Sequence, residues 1–232
     1  MHQPIALGRP LVLAFLGLLC TACMDVKQEA ILELQPGSQV TLTAGGLPPL
    51  MSAQEGFIRS SITLSIDVGD LLRGRPIMGT VKAEEVLIAG SALDIAPGLT
   101  SGTLCTSLDP SQPASGTATI NLLRQRLMLA VQSGTRIAIT DPNLRALLTT
   151  AADLSVPVSI QATVPINLGD LIGALLGNAL PIQITQPIMQ TVPSDVPILG
   201  GGTITGQLVL AAATQPPTSP RIEECRAFAM MR

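Results

Sequence analysis

The chain has 232 residues, of which 47% are apolar, 12% are charged and only 1% are aromatic, and its formal net charge is −3. The apolar fraction is enough for a sizeable core, which must be mainly aliphatic because Trp and Tyr are absent. We set nucleic-acid binding aside, since it needs basic stripes and stacking side chains that this composition lacks.

Residues 1–22 have the pattern of a secretory signal peptide. The amino terminus and one arginine precede an apolar run over residues 11–19, which is too short to span a bilayer. The next segment, Cys20-Thr-Ala-Cys23, resembles the bacterial lipoprotein signal, in which small residues precede a cysteine that is acylated and becomes the new amino terminus. The resemblance covers only the first 23 residues and implies lipidation at Cys23. The alternative is simple secretion with cleavage after Ala22.

The leader also predicts where the protein resides and how the rest of the chain is arranged. We expect an exported cell-envelope protein anchored to a membrane through acylated Cys23, at the outer membrane if the cell has two membranes, and otherwise a secreted protein. Behind the signal we predict a lipidated tether over residues 23–28 and a β-rich domain over residues 29–213. Residues 214–232 are predicted to form a linker and a short C-terminal helix.

Alternation of apolar and polar residues predicts the strands. The clearest stretch, Val156–Leu168, contains two prolines, which favour an edge strand or a bulge because proline cannot donate to the ladder. Further strands are predicted over residues 62–68, 117–122, 127–139 with a turn at Ser133–Gly134, and 203–210. The predicted fold class is mainly β, an antiparallel sandwich or an open barrel-like sheet with a pseudo-twofold internal duplication and a few short helices.

Three short helices are predicted from capping residues and apolar spacing. Asp141-Pro142 begins the first, which extends through Leu148, and Asp170 caps the second over Leu171–Asn178. The C-terminal helix is predicted to place Ile222, Cys225, Phe228 and Ala229 on one face.

Cysteine counting predicts a disulfide. If Cys23 is acylated, the mature chain keeps one pair, Cys105 and Cys225. In an oxidising compartment we expect these two to be joined, the alternative being two unpaired buried thiols.

An internal duplication is the most informative feature of the sequence. Ile66–Leu72 recurs as Ile166–Ile172, and two later blocks recur in the same order. Those blocks are Pro76–Val81 with Pro187–Val192, and Val86–Gly90 with Val196–Gly200. The repeat units cover about residues 58–108 and 156–212, and the second unit carries extra residues over 173–186. Two such units are expected to pack on one another in a shared core.

The mature chain offers little catalytic chemistry. The only histidine of the full chain, His2, lies in the predicted signal and is removed with it, so the mature chain cannot form histidine-based nucleophilic or zinc sites. We therefore predict no catalytic residues, no metal and no cofactor. Asp67 and Asp70 could form an acid–base pair or a calcium site, but we favour helix capping by Asp70 and by its repeat equivalent, Asp170. Arg73-Gly-Arg75 is interpreted as a solvated turn, with an anionic headgroup site as the alternative.

The predicted function is a non-enzymatic, lipid-anchored cell-envelope protein that acts as an interaction or structural module. Its expected partners are the membrane, through the N-terminal lipid, and a lipid or an envelope protein. The alternative is binding or carrying an apolar ligand, such as a lipid, in an aliphatic groove of the sheet. The candidate lining residues of that groove are Leu171, Ile172, Leu175, Leu176 and Leu180.

Overall fold

The structure is a computed structural model that describes residues 23–44, 49–91, 103–112, 114–142, 145–146, 153–175, 178, 180–192 and 201–231. The signal peptide, most of the helix expected after Asp141, and Leu176 lie outside the described residues.

The described chain forms one antiparallel sheet of ten strands with three short helices. The first half of the chain contains the strands β1 Cys23–Leu34, β2 Gln39–Ala44, β3 Leu50–Asp67, β4 Ile77–Ser91, β5 Thr103–Leu108 and β6 Ser115–Asn121. The rest contains β7 Arg126–Ile139, β8 Asp153–Pro165, β9 Gln183–Val192 and β10 Gly202–Ala213. The helices are α1 Val68–Leu72, α2 Leu168–Leu175 and α3 Pro220–Met230.

The strands follow one another across the sheet in a symmetric order. β3 and β4 pair at the centre. β1 and β2 run in the same direction, one beyond the other, and each of them pairs with β3 on one side and with β10 on the other. In the same way β5 and β6 share the position between β4 and β7. Among the described residues the two edges are β8, which pairs with β7, and β9, which pairs with β10. This confirms the predicted edge position of β8.

The first two blocks of the duplication occupy corresponding places in the fold, but their strands meet differently. Ile66–Leu72 ends β3 and forms α1, while Ile166–Ile172 follows β8 and begins α2, so β3–α1–β4 corresponds to β8–α2–β9. β3 and β4 pair directly, but the extra residues of the second unit come between β8 and β9. These two strands lie close together, yet no hydrogen-bonded register joins them in the described residues. The third repeat block, Val196–Gly200, lies outside the described residues.

The inner face of the sheet forms the main core. Among the described residues it consists only of Leu, Ile, Val and Ala, as the composition predicts, and it draws on eight of the strands as well as on α2. A β-bulge helps to build it, because Arg59 pairs with Glu85 while its neighbour Ser60 pairs with Ala83. The bulge therefore changes which residues of β4 face inward. As a result, Val81 before it and Val86 after it are both buried in the core.

The outer face carries a second, smaller core under α3. Ile222 and Cys225 of the helix are buried there against Phe57, Leu87, Ala89 and Cys105. The helix begins at Pro220, and the Ser219 hydroxyl accepts a hydrogen bond from the Ile222 N–H at 3.2 Å, which is N-capping. Ala229 was expected on the same face but is exposed, because the buried stripe of this helix is limited to its first two turns.

Residues 23–28 do not form the tether that we predicted. They are the first half of β1, whose register with β3 runs from Cys23–Asp67 to Glu33–Phe57. The physical reason is the length of β3, since β2 satisfies only the first few residues of this 18-residue strand. Its remaining backbone groups need a second partner, which β1 supplies.

The turn predicted at Ser133–Gly134 is also wrong. β7 continues through these residues because β8 pairs with it along its whole length. On the other side, Ser133 and Gly134 face the gap between β5 and β6, where the Asp109 N–H donates to the Gly134 carbonyl at 2.9 Å. The strands predicted over residues 117–122 and 127–139 are present as β6 and β7, which pair as a hairpin.

Candidate functional site

One end of the sheet gathers most of the residues that the sequence singled out. Cys23 pairs with Asp67, the last residue of β3, and Arg126 at the start of β7 pairs with Pro165, the last residue of β8. We call this the basal end of the sheet. The helix α1, the β6–β7 turn over residues 122–125 and the start of α2 all lie there.

The repeated Gly-Asp segments at the basal end are capped helix starts. In α1 the Asp67 carboxylate accepts a hydrogen bond from the Asp70 N–H at 3.0 Å. In α2 the Asn167 side chain accepts from the Asp170 N–H at 2.9 Å, and the Asp170 carboxylate accepts from the Asn167 N–H at 2.9 Å. This reciprocal arrangement is a capping box.

The cap positions differ from those we predicted. Asp67 and Asn167, not Asp70 and Asp170, are the N-caps, because each helix begins one turn earlier than its apolar spacing suggests. Asp170 instead occupies the third helical position, where a carboxylate bonds back to the cap.

Asp70 is held by the two arginines that follow it. Its Oδ1 lies 2.9 Å from the Arg75 guanidinium and 3.5 Å from that of Arg73, and all three side chains are partly exposed. The arrangement therefore favours a local structural role over an acid–base pair. In the part of the chain that the structure describes, no three His, Cys, Asp or Glu side chains are grouped so that they could hold a metal ion.

The capping role of Asp67 can be tested by substitution. Asn caps helices about as well as Asp, so Asp67→Asn should leave the free energy of unfolding nearly unchanged, whereas Asp67→Ala should lower it by about 1 kcal/mol. Urea unfolding of the two variants and of the wild type measures this difference. If Asp67→Asn were as destabilised as Asp67→Ala, the negative charge and not the hydrogen-bond acceptor would be what Asp67 provides.

The candidate lining residues of an apolar groove are not brought together. Leu171 and Leu180 are buried in the main core, whereas Ile172 is half-exposed at the basal end. Leu175 is the last residue of α2, and its side chain is outside the description. The three side chains that are described therefore do not line a common groove.

A small cleft lies beside the same segment. It runs along β1 from Gln28 to Leu32 and is closed by Leu180, Ile182 and the end of β10. Its volume of about 20 Å³ holds one or two water molecules, far less than an acyl chain needs. The Gln28 amide bridges one end by donating to the Asn178 carbonyl at 2.8 Å.

The predicted disulfide between Cys105 and Cys225 is present in the structure, with Cα atoms 5.3 Å apart. It attaches α3 to β5 on the outer face of the sheet. Two polar contacts flank it, since the Thr103 hydroxyl donates to the Glu224 carboxylate and Arg226 lies 3.9 Å from Glu85. The C-terminal helix is thus held on the sheet covalently as well as by packing.

On the outer face, the two rows of β3, β4, β6, β7 and β8 nearest the basal end are uncharged and carry two exposed methionines, whereas β1 beside them contributes Asp25 and Lys27. Met78 of β4 and Met128 of β7 both pair with Thr119 of β6, which lies between them. The Thr119 hydroxyl contacts the Met78 sulfur at 3.6 Å. The same row continues to Ser65 of β3 and Thr163 of β8. The next row contains Thr63, Thr80, Thr117, Ala130 and Gln161.

None of the helices in the described residues has both the length and the apolar character that crossing a bilayer requires. No protein-family model matches the chain, and no curated protein or solved structure matches it significantly.

Proposed function

We propose that this protein is a non-enzymatic, lipid-anchored interaction module of the cell envelope. Acylated Cys23 would hold it at a membrane, and the outer face of the sheet near the basal end would bind an envelope protein. The observation that carries the proposal is the exposed row formed by Met78, Thr119 and Met128 on three neighbouring strands.

The composition of this face supports protein binding. Ten side chains form two rows across β3, β4, β6, β7 and β8, and none of these ten is charged; Asp25 and Lys27 of β1 continue the rows at the rim of this face. Binding surfaces between proteins are enriched in Met and depleted in Lys, Glu and Asp at their centres. The flexible thioethers of Met78 and Met128, about 10 Å apart across two strand spacings, can adapt to apolar pockets of a partner.

The threonines add hydrogen-bonding capacity without a charge that must be desolvated. Thr80 and Thr117 are exposed neighbours on β4 and β6. Their hydroxyls can donate or accept, either directly or through water. We therefore expect a partner surface that is uncharged, with apolar pockets for the methionines and polar groups between them.

The acidic residues of the basal end support a non-enzymatic role. Asp67 and Asn167 serve as helix caps, and Asp70 is held by Arg73 and Arg75. Asp67 and Asp70, the two residues considered as an acid–base pair, therefore both make contacts that stabilise the local fold.

Site-specific photo-crosslinking in the host cell tests the partner face. A photoreactive residue at Thr80 should form an adduct with one envelope protein. Met128→Glu in the same chain should reduce the adduct about tenfold, because burying an unpaired carboxylate costs at least about 1.4 kcal/mol.

The matched control is Met189→Glu, at an exposed position on the outer face of β9. It adds the same charge to the opposite half of the sheet and should leave the adduct unchanged. An adduct that survives Met128→Glu, or one that both substitutions weaken equally, would contradict the proposed face.

A further inference from the structure

We propose that the basal end of the sheet seats directly on a phospholipid bilayer, with the apolar side chains of its turns inserted at the boundary between headgroups and acyl chains. The inserted residues are Leu72, Leu123, Leu168 and Ile172. This inference rests on the proposed acylation of Cys23 and adds to it the orientation of the domain.

The first argument is the absence of a spacer between Cys23 and the fold in the described residues. Cys23 is the first residue of β1 and pairs with Asp67 at the very end of β3. A lipid attached to Cys23 would therefore extend directly from the first residue of a hydrogen-bonded strand. The basal end would then lie within a few ångströms of the headgroups.

The second argument is the exposure of large apolar residues at this end. Leu72 is 72% exposed, Leu123 77%, Leu168 55% and Ile172 49%. Single exposed apolar residues are common on soluble proteins, but these four come from three separate segments that the topology brings to one end. Their burial in a bilayer interface would be favourable in the way that holds amphipathic helices there.

The third argument is that the turns hold these side chains in position. In the β6–β7 turn the Asn121 side chain accepts from the Arg124 N–H at 3.0 Å, and Gln125 adopts a positive φ of 50°. Leu123 projects from this turn over Gly74, where an added Cβ would lie only 2.7 Å from its Cδ1. The α1–β4 turn and the β6–β7 turn therefore contact each other and form one continuous surface.

Arginines lie beside the apolar residues, as is usual at membrane interfaces. Arg73 and Arg75 follow Leu72, while Arg124 and Arg126 follow Leu123, and all four are exposed. Long cationic side chains can lay their alkyl parts along an apolar surface and extend their charged groups to phosphates. A bilayer presents both environments at the same depth.

A single-tryptophan reporter tests the orientation, since the natural chain contains no Trp. Acylated mature protein carrying Leu123→Trp is reconstituted into vesicles of phosphatidylcholine with brominated acyl chains. Its fluorescence should be quenched by about half or more relative to unbrominated vesicles, because an interfacial residue reaches about 5–10 Å into the boundary region.

The control is Met51→Trp, at an exposed position on β3. Met51 lies sixteen residues from Asp67 along that strand, which is about 50 Å, so this reporter should not be quenched. To allow for the affinity of Trp for interfaces, Leu123→Trp is repeated with Leu72 and Leu168 changed to Ser, which should weaken its quenching.

Vesicle flotation separates this inference from the proposed anchor. Acylated protein should float and Cys23→Ser protein should not. If the acylated protein floats but Leu123→Trp is not quenched, or if Met51→Trp is quenched equally, the upright orientation is overturned while the anchor remains. If the native protein carries no lipid and does not float, the proposed anchor fails and the orientation fails with it.

Discussion

Replacing both Cys105 and Cys225 with Ala should lower the free energy of unfolding by about 3–5 kcal/mol. The two residues are 120 positions apart, so the bond closes a loop that contains most of the second half of the chain. The chain-entropy estimate for such a loop is near 5 kcal/mol, and native strain can only reduce it. In a domain of this size the change corresponds to a fall of roughly 6–20 °C in Tm. Thermal and urea unfolding followed by circular dichroism measure it.

The appropriate control is the wild-type protein unfolded with and without reductant. Reduced wild type should approach the stability of the double-alanine variant, and the variant itself should not respond to reductant. The helix α3 should show faster amide exchange in both, because Ile222 would then be its main buried contact with the sheet. Equal stability of the variant and the oxidised wild type would show that packing alone holds α3 in place.

Changing Gly56 to Ala should be about as damaging, lowering the free energy of unfolding by about 3–5 kcal/mol. Gly56 adopts a φ of 151°, which residues with side chains rarely adopt. A Cβ there would also overlap the backbone carbonyl of Leu87 and lie 2.7 Å from the Ile88 Cα. Both contacts are with the backbone of β4 at the centre of the sheet, so neither can be relieved by a side-chain rotation.

The matched control for Gly56→Ala is Gly37→Ala, in the connection between β1 and β2. Gly37 also has a positive φ, of 101°, but a Cβ there meets nothing within 4 Å. Its substitution should therefore cost only the backbone strain, about 1–2 kcal/mol. Urea unfolding of the two variants isolates the effect of the close approach. If the two variants were equally stable, the contact between β3 and β4 would not be what requires Gly56.

Local patterns were sufficient for several features of the fold. Alternation over Val156–Leu168, with its two prolines, correctly indicated an edge strand, because the ladder hydrogen bonds that proline lacks are dispensable only there. Cysteine counting correctly paired Cys105 with Cys225, since only one pair remains once Cys23 is assigned elsewhere.

Other features depend on partners that a local pattern does not reveal. Residues 23–28 have no strong signal of their own and become strand because the end of β3 lacks another partner. Ser133–Gly134 has the composition of a turn, yet β8 pairs with it and keeps it extended. The helix caps lie one helical turn before their predicted positions, because the apolar spacing of α2 marks its buried face and not its first residue.

The basal end illustrates the same limit for the candidate site. The sequence contains Leu72, Leu123 and Leu168 as separate residues in three turns, and nothing in their spacing connects them. The apolar residues around Leu171 suggested a ligand groove, but the fold places Leu171 and Leu180 in the core and leaves Ile172 outside. The sequence feature that could have identified these exposed residues is an apolar side chain within a turn, such as Leu123 before Arg-Gln-Arg.

By itself, the sequence determined the mainly β fold class, five of the ten strands, the aliphatic core, the duplication and the disulfide, because each of these follows from composition, local alternation or counting. Only the tertiary structure decided which residues share a surface, because antiparallel pairing joins residues far apart in the chain, such as Cys23 with Asp67. It also decided that no hydrogen-bonded register joins β8 to β9 in the part of the chain that the structure describes, since the extra residues of the second unit come between them.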